Sequence, residues 1–259
     1  MDLGIEGRNA IVCASSRGLG RACATALARA GARVAINGRD PERLARTQDE
    51  IAAETGAEIV AIAGDMSTEA GRADLLAAFP TVDILVNNNG GPPPRDFRAV
   101  DRDAMLAGLE ANMIAPILMI QALVDGMIER RFGRIVNITS GSVKMPMAGL
   151  DLSSGARAGL TGFVAGAARS IAHANVTINN LLPGAFDTDR IAALIDGQAR
   201  QSGRDAAELR AQREQGIPAK RFGDPAEFGA ACAFLCSAQA GYITGQSILI
   251  DGGAFPGIL

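Results

Sequence analysis

The stretch Cys13-Ala14-Ser15-Ser16-Arg17-Gly18-Leu19-Gly20 decides the fold of this chain. The apolar run Ala10-Ile11-Val12 precedes it, and an alanine-rich amphipathic stretch follows it. This order predicts a strand, a glycine turn and a helix. The free N–H groups and the positive dipole end of such a helix suit a phosphate, and small residues let the backbone approach a pyrophosphate. The stretch therefore predicts a nucleotide site, although glycines also end strands for purely structural reasons.

Strand-like and helix-like segments alternate along the rest of the chain. The predicted strands are 9–13, 33–37, 58–61, 83–86, 133–138, 176–181 and 247–250, and the predicted helices are 18–30, 41–55, 68–78, 102–131, 153–174 and 225–237. The strands are continuously apolar, as expected when helices cover both faces of a parallel sheet. We therefore expect an α/β fold: a single doubly wound, Rossmann-type parallel sheet of about seven strands, in one domain over residues 1–259. The polar segment 185–219 is the least regular part and is expected to close over a ligand.

Composition and charge limit the function classes. The 259 residues are 48% hydrophobic and 20% charged, which is typical of a globular protein, and the net charge of −3 argues against a nucleic-acid surface. No apolar run approaches the roughly 20 residues of a membrane span, and the N-terminus does not resemble a secretory signal. One histidine and four unclustered cysteines predict no metal site and a reducing, cytoplasmic location. We expect a small-molecule substrate, with no nucleic-acid or membrane partner.

The second predicted strand ends beside Gly38 and Arg39. Dinucleotide folds hold a free ribose hydroxyl there with an acidic residue, or a 2′-phosphate with an arginine. Since Arg17 in the glycine turn is a second cation for the same phosphate, we predict NADP rather than NAD, against the alternative of two solvated arginines. Asp65, after the third strand, is predicted either to accept a hydrogen bond from an adenine amino group or to cap the next helix.

Several ordered motifs resemble the short-chain dehydrogenase/reductase family over essentially the whole chain. They are Ser16-Arg17-Gly18-Leu19-Gly20, Asp65, Asn87-Asn88-Asn89-Gly90, Asn112, Arg134-Ile135-Val136-Asn137-Ile138-Thr139-Ser140, Asn179-Asn180-Leu181-Leu182-Pro183-Gly184 with Thr188, and Tyr242-Ile243-Thr244-Gly245-Gln246. The sequence is most similar to an atypical, 3-oxoacyl-carrier-protein-reductase-like subgroup with a Gly-Gly-Pro-Pro loop. The resemblance implies an NADP(H)-dependent oxidoreductase that forms a homotetramer. The predicted cofactor-binding residues are Ser15, Ser16, Arg17, Gly18, Leu19, Gly20, Arg39, Asp65, Met66, Asn88, Gly90, Pro183, Gly184 and Thr188.

The resemblance also implies a catalytic mechanism, and this chain departs from it. Family members use a serine to polarise the substrate carbonyl, a tyrosine as general acid/base, a lysine that lowers the tyrosine pKa, and an asparagine that holds a water. Ser140 and Asn112 match the serine and the asparagine, but the tyrosine position falls on Ser153 and the lysine position on Arg157. A serine hydroxyl is far less acidic than a phenol, and arginine cannot relay a proton.

Three functions stay open at this point. The first is an NADP(H)-dependent oxidoreductase that acts on a carbonyl or alcohol with a non-standard acid/base site. The second is a catalytically degenerate dinucleotide-binding protein, a sensor or an oligomer partner; the third is a scaffold that has lost cofactor binding. Ala14 stands where the family has a glycine and is expected to be tolerated if its φ stays negative. Arg95, Arg190, Arg200 and Arg204 in the pocket loops fit either an anionic substrate or ordinary exposed arginines.

Overall fold

A computed structural model describes residues 2–258, and its centre is a sheet of seven parallel strands. The strands are β1 (Asn9–Val12), β2 (Arg33–Gly38), β3 (Ile59–Ala63), β4 (Ile84–Asn87), β5 (Gly133–Ile138), β6 (Val176–Pro183) and β7 (Ser247–Ile250). They lie in the order β3-β2-β1-β4-β5-β6-β7. This is the predicted doubly wound sheet, with all seven strands at their predicted places. The strand order reverses between β1 and β4, where open α/β sheets bind ligands beyond the carboxyl ends of the strands.

Helices cover both faces of the sheet. They are α1 (Gly18–Arg29), α2 (Pro41–Thr55), α3 (Glu69–Leu76), α4 (Arg102–Leu109), α5 (Ala115–Glu129), α6 (Asp151–Ile171), α7 (Asp189–Ser202), α8 (Ala206–Gly216) and α9 (Pro225–Leu235). Leu27 of α1 and Phe228 of α9 belong to the core on one face, together with Val12. Met119 of α5 and Leu160 of α6 belong to the core on the other, which includes Ile11. Because successive strand residues point to opposite faces, the continuous apolar strands feed both cores.

Two predicted elements differ from the structure. The predicted helix over 102–131 is divided by a π-helical turn at Glu110–Ile114, between α4 and α5. The segment 185–219, predicted as irregular, contains α7 and α8, each of which buries few residues: Ile195 is buried in α7 and Leu209 in α8. The polar helix α8 has a weak hydrophobic period, whereas α7 is as amphipathic as α2, so its pattern was present in the sequence and was overlooked.

The helical run Arg102–Glu129 also corrects the expectation about membrane-length segments. It is 28 residues long and, by length and composition alone, apolar enough to cross a membrane. Core helices of globular proteins satisfy the same criterion, so this is weak evidence for a span. A third of its most apolar stretch is buried in the fold, and Met119 and Met127 are fully buried in the core on the α5 face of the sheet.

A row of buried amides crosses the sheet at one register. Asn87, Asn137, Asn180 and Ser247 are paired partners on β4, β5, β6 and β7. Asn87 Nδ2 donates to Asn137 Oδ1 (2.9 Å), Asn137 Nδ2 to Asn180 Oδ1 (3.1 Å), and Asn180 Nδ2 to Ser247 Oγ (3.1 Å). Since buried amides are stable only when hydrogen-bonded, this row fixes the register of four strands just below the edge that carries the candidate site.

Candidate active site

A groove of about 680 Å³ opens at the carboxyl edge of the sheet, where the strand order reverses. One end is formed by the glycine turn and the ends of β2 and β3, and the other by the loop after β4 and the start of α7. The lining residues are Ala14, Ser16–Leu19, Asn37–Arg39, Gly64–Met66, Asn88–Pro94, Thr188–Arg190, Ala193 and Leu194. Ten of the predicted cofactor residues are among them: Ser16, Arg17, Gly18, Leu19, Arg39, Asp65, Met66, Asn88, Gly90 and Thr188.

The glycine turn holds Ala14 in a left-handed backbone conformation. Ala14 adopts φ of +44°, so the negative φ under which this alanine was expected to be tolerated is not met. The left-handed region is unfavourable for alanine because of its Cβ, and a glycine would fit there without strain. Asn88 Nδ2 donates to the Ala14 carbonyl oxygen (3.0 Å), and Asn37 Oδ1 accepts from the Ala14 N–H (3.2 Å). These contacts from two neighbouring strands hold the strained residue in place.

Two residues predicted to bind the cofactor instead shape this turn. Ser15 is fully buried; its hydroxyl donates to the Val12 carbonyl (2.6 Å) and accepts from the Asn37 N–H (2.9 Å). A Cβ on Gly20 would lie 2.5 Å from the Ala14 carbonyl oxygen, so only glycine allows α1 to pack this closely. Neither residue lines the groove. We therefore revise their predicted role from ligand contact to positioning of the turn.

The start of α1 offers free donors to an anion. No side chain caps it and its first turn has no acidic residue, whereas Asp40 and Thr68 cap α2 and α3. Unpaired N–H groups and the helix dipole together favour a phosphate at this end. Arg17 and Arg39 both line the groove here, and Arg39 is 81% exposed at its side chain. The donor set of this end thus fits a dinucleotide that carries an extra phosphate.

Asp65 does not cap α3, and its carboxylate binds Ser67 at the wall of the groove. Its carboxylate accepts from the Ser67 N–H (2.9 Å) and the Ser67 hydroxyl (2.6 Å), and lies 3.9 Å from Arg39. Burial acts to raise the pKa of Asp65, but the Ser67 hydrogen bonds and the Arg39 charge outweigh it and lower the pKa. Thr68 takes the capping role in α3, so Asp65 keeps free acceptor capacity at the groove wall.

Pro183 and Gly184 lie at the end of β6. A Cβ on Gly184 would be 2.7 Å from the Cα of Asp251, so the glycine allows the chain after β7 to cross closely. Thr188, four residues on, is the first residue before α7 and lines the groove. Within this predicted group, Thr188 is therefore the residue placed to touch a ligand.

The predicted catalytic residues come from β5, the π-helical turn and α6. Ser140 follows β5, is partly exposed, and its hydroxyl accepts from the Ser142 N–H (3.1 Å). Asn112 lies in the π turn and is 3% exposed; its Nδ2 reaches only the Gly108 carbonyl at 3.4 Å, and its buried Oδ1 has no partner. A buried unpaired amide oxygen calls for a donor such as water.

Arg157 is held in a cage of backbone carbonyls. Its Nη1 donates to Ile138 O (2.7 Å) and Thr139 O (2.8 Å), its Nη2 to Asn89 O (3.2 Å), and its Nε to Ser153 Oγ (3.2 Å). The side chain therefore joins the end of β5, the loop after β4 and α6. Burial, and then the nearby Arg190 charge, lowers the pKa of Arg157 to about 10, so the guanidinium is still charged at neutral pH.

The sequence pattern assigned Asn89 no role of its own and left Arg190 among four loop arginines that fit either an anionic substrate or ordinary exposed side chains. Asn89 Nδ2 donates to the Ala111 carbonyl (3.1 Å), which links the loop after β4 to the π turn beside Asn112. Arg190 lines the groove close to Gly91. The replacement of a family alanine by Asn89 was the available signal for the first; nothing in the sequence separates Arg190 from other exposed arginines.

Comparisons with known proteins agree with this architecture. The family model described as Enoyl-(Acyl carrier protein) reductase matches residues 13–254. A 3-oxoacyl-[acyl-carrier-protein] reductase FabG of Vibrio cholerae is 33% identical over 254 residues, covering 98% of this chain and 99% of that protein. This chain belongs to the short-chain dehydrogenase/reductase family.

Two further members of the family resemble the chain over nearly its whole length. The NADPH-dependent reductase BacG of Bacillus subtilis is 32% identical over 256 residues, covering 97% of this chain and 99% of that protein. The structure of L-sorbose reductase from Gluconobacter frateurii, complexed with NADPH and L-sorbose, aligns with a TM-score of 0.95 at 26% identity and covers all of both chains. The predicted family and the predicted doubly wound sheet are confirmed.

Proposed function

We propose that this protein is an NADP(H)-dependent oxidoreductase of the short-chain type, acting on a carbonyl or alcohol substrate with a non-standard acid/base site. The observation that carries the proposal is the single groove that joins two chemically distinct ends. The glycine-turn end offers free helix N–H groups and two arginines, and the other end lies beside Ser153. The comparisons support NADP(H), since relatives named for NADPH dependence or solved with NADPH share the whole fold.

The glycine-turn end is assigned to the phosphates. Ser16, Gly18 and Leu19 face the pyrophosphate position, Arg17 and Arg39 the 2′-phosphate, and Asp65 with Met66 the adenine. Asn88, Gly90 and Thr188 form the remainder of the proposed cofactor site, and Pro183 and Gly184 position the chain that leads to Thr188. This assignment follows the family pattern and the uncapped start of α1.

The chemistry of the proposed reaction is shared between the cofactor and four side chains. When bound, NADPH supplies the hydride. Ser140 donates a hydrogen bond to the substrate carbonyl, and Asn112 holds a water with its unpaired Oδ1. Because Ser153 Oγ accepts from Arg157 Nε, its own proton is free to point at the substrate oxygen. Arg157 moves no proton; its fixed positive charge would favour negative charge on the substrate oxygen, and the water held by Asn112 would supply the proton that completes the alcohol.

A cofactor titration tests the first part of this proposal. NADPH and NADH are titrated separately by calorimetry into the wild type, Arg39→Gln and Arg46→Gln. Arg46 is an exposed arginine of α2 outside the groove and serves as the matched control. We expect NADPH to bind the wild type more tightly than NADH, and Arg39→Gln to weaken NADPH alone by roughly tenfold, the effect of one charge-assisted hydrogen bond. Equal affinities for both dinucleotides contradict the NADP assignment.

A carbonyl panel tests turnover. Oxidation of NADPH is followed with keto acids, their esters, ketoses and 3-oxoacyl thioesters, in the wild type and in Ser140→Ala, Ser153→Ala and Asn112→Ala. Loss of turnover in all three variants, with NADPH affinity retained, supports the assigned roles. Turnover that survives Ser140→Ala and Ser153→Ala unchanged rules out both hydroxyls as catalytic groups.

One observation favours the second candidate function, a catalytically degenerate dinucleotide-binding protein. Four hydrogen bonds already engage the Arg157 guanidinium within the fold, so this residue does not stand free to bind a ribose as the family lysine does. Tight NADPH binding without turnover on the panel, unaltered by Ser140→Ala, identifies this function. Failure to bind either dinucleotide excludes both candidates.

We also propose a single domain that assembles as a homotetramer in the cytoplasm. Met105 of α4, Ile114 of the π turn, Leu118 of α5 and Phe163 of α6 are each 40% exposed or close to it in the isolated chain. Apolar surface of this kind on neighbouring helices is typical of a subunit interface. Sedimentation velocity at low protein concentration tests the assembly, and a monomer contradicts it.

A further inference from the structure

One arginine and one serine lie beside Gly91 at the far end of the groove, and a second arginine contacts that serine. A Cβ placed on Gly91 would lie 3.4 Å from Ser153 Oγ, 3.6 Å from Arg190 Nη2 and 3.7 Å from Arg190 Nη1. Ser153 is in turn bound to Arg157 Nε. Gly91 and Arg190 both line the groove, so a ligand in the groove can reach the Arg190 guanidinium at this spot beside Gly91.

The charge at this spot is positive and uncompensated. Arg157 is only 7% exposed, and its partners are three carbonyls and one hydroxyl. Among residues 2–258, neither Arg157 nor Arg190 forms an ion pair with a carboxylate. Asp187 is engaged with Arg210 (2.6 Å), and Asp189 lines the groove at the start of α7 without pairing with either arginine. A buried cation without a counter-charge is costly, and an anion brought beside it offsets that cost.

We propose that the spot beside Gly91 binds a carboxylate of the substrate, so that the protein acts on oxo acids or hydroxy acids. Arg190 presents two terminal nitrogens, the arrangement that suits a bidentate carboxylate. Ser153 keeps its single hydroxyl hydrogen for the reacting oxygen, so the carboxylate is held by Arg190 and by the positive charge of Arg157, which contacts Ser153. This inference deepens the proposed function and rests on it for the identity of the reacting carbonyl, while the binding of the carboxylate is a separate property of these side chains.

The same residues explain why this anion is not a cofactor phosphate. The phosphate donors of the groove are Arg17, Arg39 and the free start of α1, all at the glycine-turn end. Arg157 and Ser153 come from α6 and lie at the ends of β4 and β5, on the other side of the strand reversal. The two ends therefore carry separate positive charges for two separate anions.

The test compares levulinate (4-oxopentanoate) with its methyl ester. Both carry the same ketone, and only the acid is charged. Binding of each to the protein is measured by saturation-transfer NMR and calorimetry with NADP⁺ present, and their reduction is measured with NADPH. The variants are Arg190→Gln, Gly91→Ala and, as the matched control, Arg200→Gln, an exposed arginine of the same helix that does not line the groove. Melting temperatures verify that all three fold.

We expect the wild type to bind levulinate at least tenfold more tightly than the ester. Arg190→Gln should remove this preference, Gly91→Ala should weaken levulinate by filling the spot with a methyl group, and Arg200→Gln should behave as the wild type. Equal binding of acid and ester by the wild type overturns the inference. So does an Arg190→Gln variant that loses NADPH affinity while it keeps the preference for the acid, because Arg190 then serves the cofactor.

The binding readout separates this inference from the proposed function. Selective levulinate binding that depends on Arg190, without any NADPH oxidation, upholds the carboxylate site and contradicts the oxidoreductase. NADPH oxidation with neutral ketones, together with equal binding of the acid and the ester, upholds the oxidoreductase and contradicts the carboxylate site.

Discussion

Replacement of Arg157 by lysine tests how far the fold depends on the carbonyl cage. The guanidinium donates to four acceptors spread over the end of β5, the loop after β4 and Ser153. A lysine ammonium has three donors at one point, so it loses at least one acceptor and leaves a buried carbonyl unpaired. Each buried polar group left unpaired costs about 1–3 kcal/mol. With one or two such losses, we expect Arg157→Lys to lower the free energy of unfolding by about 2–4 kcal/mol.

Urea unfolding followed by circular dichroism measures this change, and differential scanning calorimetry gives the matching shift in melting temperature. For a chain of this size, we expect a decrease of about 4–8 °C. Arg169→Lys is the matched control, since Arg169 lies on the same helix and is exposed, and it should change stability by less than about 0.5 kcal/mol. If Arg157→Lys is as stable as Arg169→Lys, the four hydrogen bonds contribute nothing, and the account of Arg157 as a structural cation is refuted.

The remaining predictions concern the turn, the acid/base positions and the amide row. Ala14→Gly should relieve the positive φ and raise the free energy of unfolding by roughly 0.5–1 kcal/mol in urea titrations. Lys220→Gly (φ +60°) should have the same effect on stability, but only Ala14→Gly should also change the affinity for NADPH, since only Ala14 lines the groove. An Ala14→Gly variant that is less stable than the wild type would show that Ala14 is not strained. The double variant Ser153→Tyr with Arg157→Lys should raise NADPH oxidation on the carbonyl panel above either single variant, and no gain would show that the pocket itself has diverged from the family. Asn137→Leu should lower stability by roughly 2–4 kcal/mol in urea, because both neighbouring amides lose a partner; an unchanged midpoint would show that the amide row is not needed.

The sheet could be predicted from sequence because each strand has a continuous apolar run of its own. A continuous apolar run such as Ala10–Val12 predicts a strand buried on both faces from its own residues, although distant helices supply the cover. The polar helix α8 could not be predicted in the same way, since its one buried residue, Leu209, gives no apolar face. The helix α7 has an apolar face built by Ile191, Ile195 and Ala199, and this signal was overlooked when the whole segment was interpreted as a functional loop.

In the candidate site, too, the features set by local sequence could be predicted and those set by distant residues could not. The glycine turn and the identities of Ser140, Asn112, Ser153 and Arg157 follow from motif spacing alone. What Arg157 does depends on carbonyls that are 18, 19 and 68 residues away in the chain. Nothing in the local sequence around α6 specifies those partners, so the sequence identifies Arg157 as a site residue but does not predict its hydrogen bonds.

The cage also changes how the two departures from the family pattern relate to each other. A tyrosine at position 153 needs a nearby cation to lower its pKa, and a lysine supplies that charge from a flexible side chain. In this chain, the cation at 157 is bound to three backbone carbonyls and to the hydroxyl at 153, so the two positions still act as a pair. Under the proposed function, the pair supplies a fixed positive charge in place of proton transfer. A fixed charge favours an anion in the ground state as well as a developing oxyanion, which is why a carboxylate substrate follows from the same substitution that removes the acid/base group.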